Sequence, residues 1–312
     1  MTATTARSDR SATVGAALCL LSAAGFGAMA IFGKLAYDAE VGVLTLLLVR
    51  FVLGGVIFGA LIGARPALRA RRPGRRALLV GLGLGAVGYA TQAGLFFGAL
   101  ERLDASLLAL LLYTYPAWVT LAAFAIGRER PTHRRLAALA LSSVGLVVVL
   151  TGAAGDKFDA AGAAMGIGAA LAYTTYILVA DNTGLEMPPL ELSALVCAGA
   201  TFTFLVVGIV SGSLDFGFEG EGWVWLVAIA LISTALPIAT FFAGLARVGP
   251  STASILSTFE PVVTVTLAYV AFSERLSAAQ LGGAALVLAA AVMLAGGGVP
   301  RTPRRRFLGP PT

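Results

Sequence analysis

Apolar runs of about twenty residues, the length needed to cross a bilayer as a helix, recur along the whole chain and are separated by short polar connections. At a rise of about 1.5 Å per residue, each run can span the ~30 Å hydrocarbon core. Because the connections are short, neighbouring helices must run antiparallel. The pattern predicts an all-α polytopic membrane protein with ten transmembrane helices, at 13–36, 42–63, 77–99, 104–126, 135–153, 160–180, 189–211, 223–246, 250–272 and 278–298.

The stretch Phe96–Leu136 is repeated as Phe241–Leu281 at a constant offset of 145 residues. Eleven of the forty-one aligned pairs are identical without a gap, and Pro116 aligns with Pro261. Since each half holds five spans, an odd number, the second half must be inverted relative to the first. We therefore predict two inverted five-helix repeats, at 13–153 and 160–298.

Charged residues make up only 12% of the chain, against about 25% in a soluble domain. With the N-terminus inside, seventeen of the 22 lysines and arginines lie on the cytoplasmic side and four on the other. The positive-inside rule therefore predicts a plasma-membrane protein with both termini cytoplasmic. We expect residues 1–12 to form a disordered cytoplasmic tail and 299–312 a basic one. The arginines lie in short loops, so the net charge of +6 predicts no nucleic-acid partner.

Several short motifs occur at characteristic positions along the chain, and the prolines and the closing acids among them recur in both halves. They are the pair Phe26–Gly27, the intramembrane Arg50, the mid-span Pro116 and Pro261, the acidic Glu129 and Glu274 that close those spans, and the pair Glu260–Pro261. Together they resemble the EamA type of the drug/metabolite transporter superfamily, over about 13–298. The resemblance implies a proton-coupled or facilitated carrier, often an exporter, of amino acids, drugs or small metabolites.

The chain departs from this family pattern in two places. Span seven has no counterpart of Arg50, so the two halves are functionally unequal. Span six has Tyr173 where many relatives carry tryptophan. The resemblance therefore does not identify the substrate.

Glu260 and Arg50 are the candidate charged groups inside the membrane. A charged side chain near the midplane costs ~2.5–3.5 kcal/mol, so it usually faces a cavity or a partner. For Glu260 we consider a proton-coupling or substrate-amine site, or a protonated carboxyl that bonds a neighbouring helix. Arg50 lies roughly 12 Å deep and suits either a substrate carboxylate or Glu260 itself. A structural tie between helices, or a side chain that reaches outward to water, is the alternative for Arg50.

The matched prolines Pro116 and Pro261 each remove a backbone hydrogen bond and can kink spans four and nine. Freed carbonyls at membrane depth are tolerated only where protein or a wet cavity satisfies them, which suggests a shared cavity wall. We predict that the substrate-binding residues are Arg50, Tyr89, Gln92, Tyr113, Tyr173 and Glu260. For each tyrosine and for Gln92, ordinary interhelical packing is the alternative.

The remaining residues favour no enzyme. His133 is the only histidine and lies near neither cysteine, so we predict no metal site. No carboxylate pair lies beside a span, and we predict no cofactor. The favoured function is a secondary transporter, an exporter of a small metabolite, amino acid or drug by alternating access, with proton coupling as a hypothesis. The alternative is a flippase for an amphipathic or lipid-linked substrate. The sequence leaves the oligomeric state open and is compatible with a monomer.

Overall fold

The computed structural model describes residues 2–69, 73–127, 131–153, 159–183 and 187–295. This part of the chain is mainly helical and contains no strands. The helices are α1 Thr2–Gly27, α2 Met29–Asp38, α3 Val43–Gly63, α4 Pro66–Arg69, α5 Arg75–Gly83, α6 Ala90–Leu100, α7 Ala105–Leu112, α8 Tyr115–Ala125, α9 His133–Ala153, α10 Ala160–Asn182, α11 Pro189–Ser211, α12 Gly220–Ala230, α13 Leu236–Ser257, α14 Glu260–Phe272 and α15 Ala278–Ala295. Two π-helical segments, Leu84–Tyr89 and Leu231–Ala235, join α5 to α6 and α12 to α13.

Ten segments of the described chain are long and apolar enough to cross a membrane, and they confirm the predicted spans. In order, spans one to ten are Ala12–Asp38, Val43–Gly63, Arg75–Leu100, Ala105–Ala125, His133–Ala153, Ala160–Asp181, Pro189–Ser211, Gly220–Gly249, Thr252–Phe272 and Ala278–Ala295. Spans eight and nine are separated at Gly249, whose positive φ of 79° turns the chain where other residues would be strained.

The two ends of the chain compare differently with the predicted tails. At the N-terminus α1 begins at Thr2, so its helix includes the segment predicted as a cytoplasmic tail. No glycine or proline occurs before Gly15, so nothing interrupts the helix as it continues outward from span one. The predicted basic tail 299–312 lies outside the described residues.

Each span of one half packs mainly against a span of the other half. Span one packs on span eight and span three on span six, and spans two and seven, four and nine, and five and ten also meet. Span three packs on span seven and span four on span six, and in the same way span eight contacts span two and span nine contacts span one. Exchanging the halves leaves this set of pairs unchanged, as a pseudo-twofold axis requires. The two inverted five-helix repeats predicted from the sequence are therefore the architecture of the protein.

The interruptions of helices also repeat between the halves. Span four breaks between Leu112 and Tyr115, and span nine breaks 145 residues later, between Ser257 and Glu260. The π-helical segments of spans three and eight occupy nearly matching positions as well. Broken helices at membrane depth persist only where protein or a cavity satisfies the freed backbone groups, so these breaks indicate where the site lies.

Spans five and ten pack closely on each other through glycine. A Cβ atom placed on Gly145 would lie 2.9 Å from the carbonyl oxygen of Gly283, closer than real Cβ atoms come to other groups. Small residues at such a contact let two membrane helices approach backbone to backbone.

Candidate functional site

A cavity of about 370 Å³ lies between the two halves, beside the breaks in spans four and nine. Its described lining comes from eight spans and includes none of the residues of spans five and ten. At one end the cavity reaches Pro189, the exposed first residue of span seven. Because both halves contribute to its wall, a shift of one half against the other would reshape it.

All six residues predicted to bind substrate line this cavity. They are Arg50, Tyr89, Gln92, Tyr113, Tyr173 and Glu260, contributed by spans two, three, four, six and nine. Their proximity explains how residues so distant in sequence could act on one ligand, while their roles in binding stay predictions.

Glu260 is the first residue of α14 and therefore lies directly after the break in span nine. Its Oε2 atom lies 3.2 Å from the hydroxyl oxygen of Tyr113. The same hydroxyl donates to the carbonyl oxygen of Ser257. The only side-chain hydrogen bond of Glu260 in the described part of the chain is therefore with a phenol, not with a cation.

The predicted kink residues lie one residue inside the helices that follow the breaks. Pro116 is the second residue of α8 and Pro261 the second residue of α14. A proline has no N–H to donate to the carbonyl four residues earlier, so Leu112 and Ser257 lose their helical partners. Both of these residues line the cavity.

Arg50 is buried, with 2% of its surface exposed. Its Nε donates to Thr234 Oγ1 at 3.1 Å, and its guanidinium carbon lies 5.0 Å from the centre of the Phe51 ring. Its Nη2 atom is buried and has no hydrogen-bond acceptor among the described residues. A buried guanidinium that faces a neutral hydroxyl and an aromatic ring retains a charge that an anion could neutralise.

Arg50 and Glu260 share the cavity without pairing. No ion pair joins them within 4.0 Å, although both lie in the described part of the chain. The sequence left a direct pair open as one interpretation. In this conformation the two groups lie on different spans, two and nine, that line the same cavity.

Five tyrosines form a continuous aromatic row along the cavity. The ring-centre distances are 5.8 Å for Tyr113–Tyr115, 4.8 Å for Tyr115–Tyr173, 6.1 Å for Tyr173–Tyr176 and 5.5 Å for Tyr176–Tyr89. The predicted set omitted Tyr115, Tyr176 and Thr234 from this wall. The repeat offered a signal for Tyr115, because that residue occupies the position of Glu260 in the first half.

The opposite end of the bundle carries a second acidic group, Glu274, just beyond span nine. Its Oε1 accepts from Lys34 Nζ at 2.8 Å and from the Ala105 backbone N–H at 3.1 Å. Its Oε2 accepts from the backbone N–H and the hydroxyl of Ser106, at 3.0 and 2.8 Å. Burial opposes ionisation, but the Lys34 and Ser106 donors outweigh it, so the pKa of Glu274 lies below its usual value.

This cluster, which we term the Glu274 tie, joins three helix ends from both halves. Lys34 belongs to α2, Ser106 to the first turn of α7, and Glu274 follows α14. A polar cleft of about 610 Å³, lined by Lys34 and Glu274 among others, lies beside it. The helix-start N–H groups of α7 need acceptors, and Glu274 accepts from two of them, so the tie joins α7 to the end of span nine. Its repeat counterpart, Glu129, lies outside the described residues.

Comparison with known proteins places these features in a family. The sequence profile of the EamA-like transporter family matches residues 13–151 and 160–296. An uncharacterized transporter of Archaeoglobus fulgidus is 30% identical over 213 residues, 67% of this chain and 73% of that protein. The threonine/homoserine exporter RhtA of Escherichia coli K12 is 27% identical over 221 residues, 69% of each chain. A crystal structure with 23% identity aligns with a TM-score of 0.61 over 88% of this chain and 95% of its own, which supports the fold.

Proposed function

The chain belongs to the EamA-like transporter family, and from this premise we propose that it exports a small metabolite bearing both a carboxylate and an ammonium group. The observation that carries the proposal is the cavity between the halves, with Arg50 on one wall and Glu260 on another, unpaired with each other. A zwitterion is the ligand that matches one group of each sign at separate positions.

The guanidinium of Arg50 would receive the carboxylate. Its Nη2 atom lacks an acceptor among the described residues, and a planar guanidinium fork suits a carboxylate geometrically. Thr234 and the Phe51 ring hold the side chain in place before a ligand arrives. A preorganised cation of this kind binds a carboxylate more tightly, because its side chain loses little conformational freedom when the ligand binds.

The carboxyl of Glu260 would receive the ammonium group or a proton. Both occupants neutralise the same carboxylate, so they would compete, and competition of this kind couples a proton to export. The tyrosine row beside Glu260 offers aromatic faces to a cation or an apolar side chain. The naming of RhtA as a threonine/homoserine exporter supports an amino acid as the substrate class.

Export by alternating access is supported by the unequal ends of the cavity. One end reaches Pro189, and the other end of the bundle is closed by the Glu274 tie. In the orientation that the arginine distribution predicts, with both termini cytoplasmic, Pro189 faces the cytoplasm. The conformation would then be inward-facing, and the inverted halves would exchange roles to open outward. We propose a monomer in the plasma membrane as the transporting unit.

Counterflow in proteoliposomes tests the proposal directly. Vesicles preloaded with L-threonine or L-homoserine should accumulate the labelled amino acid, whereas the corresponding amine without the carboxylate should move at least about tenfold more slowly, the loss expected for one charged contact of about 1.4 kcal/mol. Arg50→Gln should remove this preference by slowing the amino acid alone. Arg102→Gln, which breaks an exposed ion pair with Asp159 away from the cavity, is the matched control and should keep the preference. Equal counterflow of amino acid and amine would contradict the zwitterion site.

A further inference from the structure

The hydroxyl of Tyr113 lies where the breaks of spans four and nine meet. Tyr113 follows the last residue of α7, and its hydroxyl contacts both Ser257, the last residue of α13, and Glu260, the first residue of α14. One side chain of the first half thus touches both segments of the broken helix in the second half.

Counting hydrogens assigns the protons in this contact. A tyrosine hydroxyl has one proton, and the carbonyl of Ser257 can only accept. Pro261 cannot supply the helical N–H for that carbonyl, so Tyr113 is its donor, and this is the shorter of the two contacts of the hydroxyl. The phenol oxygen then faces Glu260 Oε2 at 3.2 Å as an acceptor, which requires the carboxyl to carry the proton between them.

Loss of that proton would reverse the arrangement. An ionised Glu260 can only accept, and a charge-assisted hydrogen bond is roughly twice as strong as a neutral one. The Tyr113 proton would turn from Ser257 to Glu260, and the Ser257 carbonyl would be left without a donor inside the membrane. An unsatisfied carbonyl there is costly, so the end of α13 would have to move or gain water.

We propose that Tyr113 is the positioning residue that couples the proton on Glu260 to the break in span nine. With the proton bound, Tyr113 holds α13 through Ser257; with the proton gone, it holds α14 through Glu260 and releases α13. The inference rests on the proposed proton coupling and names the group that converts a proton into a helix movement.

The other groups facing Glu260 do not substitute for this hydroxyl. Tyr115 from span four and Tyr173 from span six interact with Glu260 electrostatically, but neither hydrogen-bonds it among the described contacts. Span two contributes Arg50, which forms no ion pair with Glu260. Span one packs on α14 through Gly27 and brings no titratable side chain to the described cavity wall.

The test combines two readouts on purified protein in lipid. Infrared difference spectroscopy follows the protonated carboxyl of Glu260, identified as the band that Glu260→Gln removes. Double electron–electron resonance follows spin labels at the exposed positions of Ala125→Cys and Thr252→Cys, in a Cys19→Ser, Cys197→Ser background. We expect the distance distribution between labels to lengthen from acidic to alkaline buffer in the reference protein. Tyr113→Phe should abolish that change while the Glu260 band still titrates.

Tyr37→Phe is the matched control, because Tyr37 also donates across spans to a backbone carbonyl, that of Phe97, at 2.9 Å. Its hydroxyl has no carboxyl partner in the described hydrogen bonds, so the control should retain the pH-dependent distance change. An unaltered distance change in Tyr113→Phe would overturn the proposal. The proposal would also be overturned if the distances between labels in the reference protein did not change with pH while the Glu260 band titrated. Threonine counterflow in the same liposomes reports separately on the transport function, so its failure is distinguishable.

Discussion

Span nine carries two acidic groups with opposite surroundings. Glu260 begins the helix segment and Glu274 follows its end, about 21 Å further along at helical rise. Glu274 accepts four hydrogen bonds, one of them from a lysine, whereas Glu260 meets a single phenol in the described structure. The fold surrounds the Glu274 carboxylate with donors, whereas the Glu260 carboxyl faces the cavity.

The difference shows how one helix can serve two purposes in a carrier. Donors that already hold Glu274 join three helices, α2, α7 and α14, so that carboxylate contributes stability at this end of the bundle. Glu260 has the Tyr113 hydroxyl as its one side-chain partner in the described structure, so exchange of a proton or a ligand cation changes one contact rather than four. Moving the donors from one carboxylate to the other would be expected to exchange the two roles.

The largest effect is expected from Glu260→Gln. A glutamine keeps the shape and an acceptor oxygen but cannot lose a proton, so the variant should lose the pH dependence of transport entirely. Threonine counterflow without a gradient should persist, slower by about tenfold if one charged contact worth about 1.4 kcal/mol is lost. Transport measured across a range of pH values, with protein amounts matched, checks the result. A normal pH profile in this variant would remove Glu260 from coupling.

A smaller effect, on stability and closure, is expected from Glu274→Gln. The variant loses the charge that four donor groups surround, and hydrogen bonds to charged groups contribute about 2 kcal/mol each. We expect about 2 kcal/mol less stability of the closed end and a lower thermal midpoint in detergent. Lys34→Met is the matched comparison. In Lys34→Met, Ser106 and Ala105 still donate to the Glu274 carboxylate, so this variant should lose less stability than Glu274→Gln. A larger loss of stability in Lys34→Met would contradict this ranking.

The smallest effect is the acid sensitivity of the Glu274 tie. Since the pKa of folded Glu274 lies below its usual value of about 4.3, its stabilising contribution is complete above that value. It is lost as the pH falls through the lowered pKa, because the folded state must then take up a proton. Thermal midpoints of the wild type and Glu274→Gln should converge in acid. Midpoints that stay equally far apart at all pH values would contradict the assignment.

Much of the architecture follows from the chain alone. The spacing of apolar runs predicts ten spans, and the offset of 145 residues between Pro116 and Pro261 predicts two inverted halves. These two predictions are confirmed because a helix must have a certain length to cross a bilayer, and because a repeat with an odd number of spans must be inverted. The six site residues were predicted from polarity at mid-membrane depth, a strong signal where polar groups are costly.

Other features depend on distances that no sequence pattern encodes. Lys34 meets Glu274 across 240 residues, and Tyr113 meets Glu260 across 147. Tyr115 and Tyr176 join the aromatic row only because spans three, four and six converge there.

The sequence by itself determined the number of spans, their inversion and the placement of Arg50 in span two and of Glu260 in span nine. It could do so because the hydropathy and length of a segment are local properties that decide whether it can cross a membrane. Only the tertiary structure decided that Arg50 faces Thr234 rather than Glu260, and that Glu274 rather than Glu260 receives the lysine. Those choices depend on which helix faces meet, and the packing of ten helices against one another sets them.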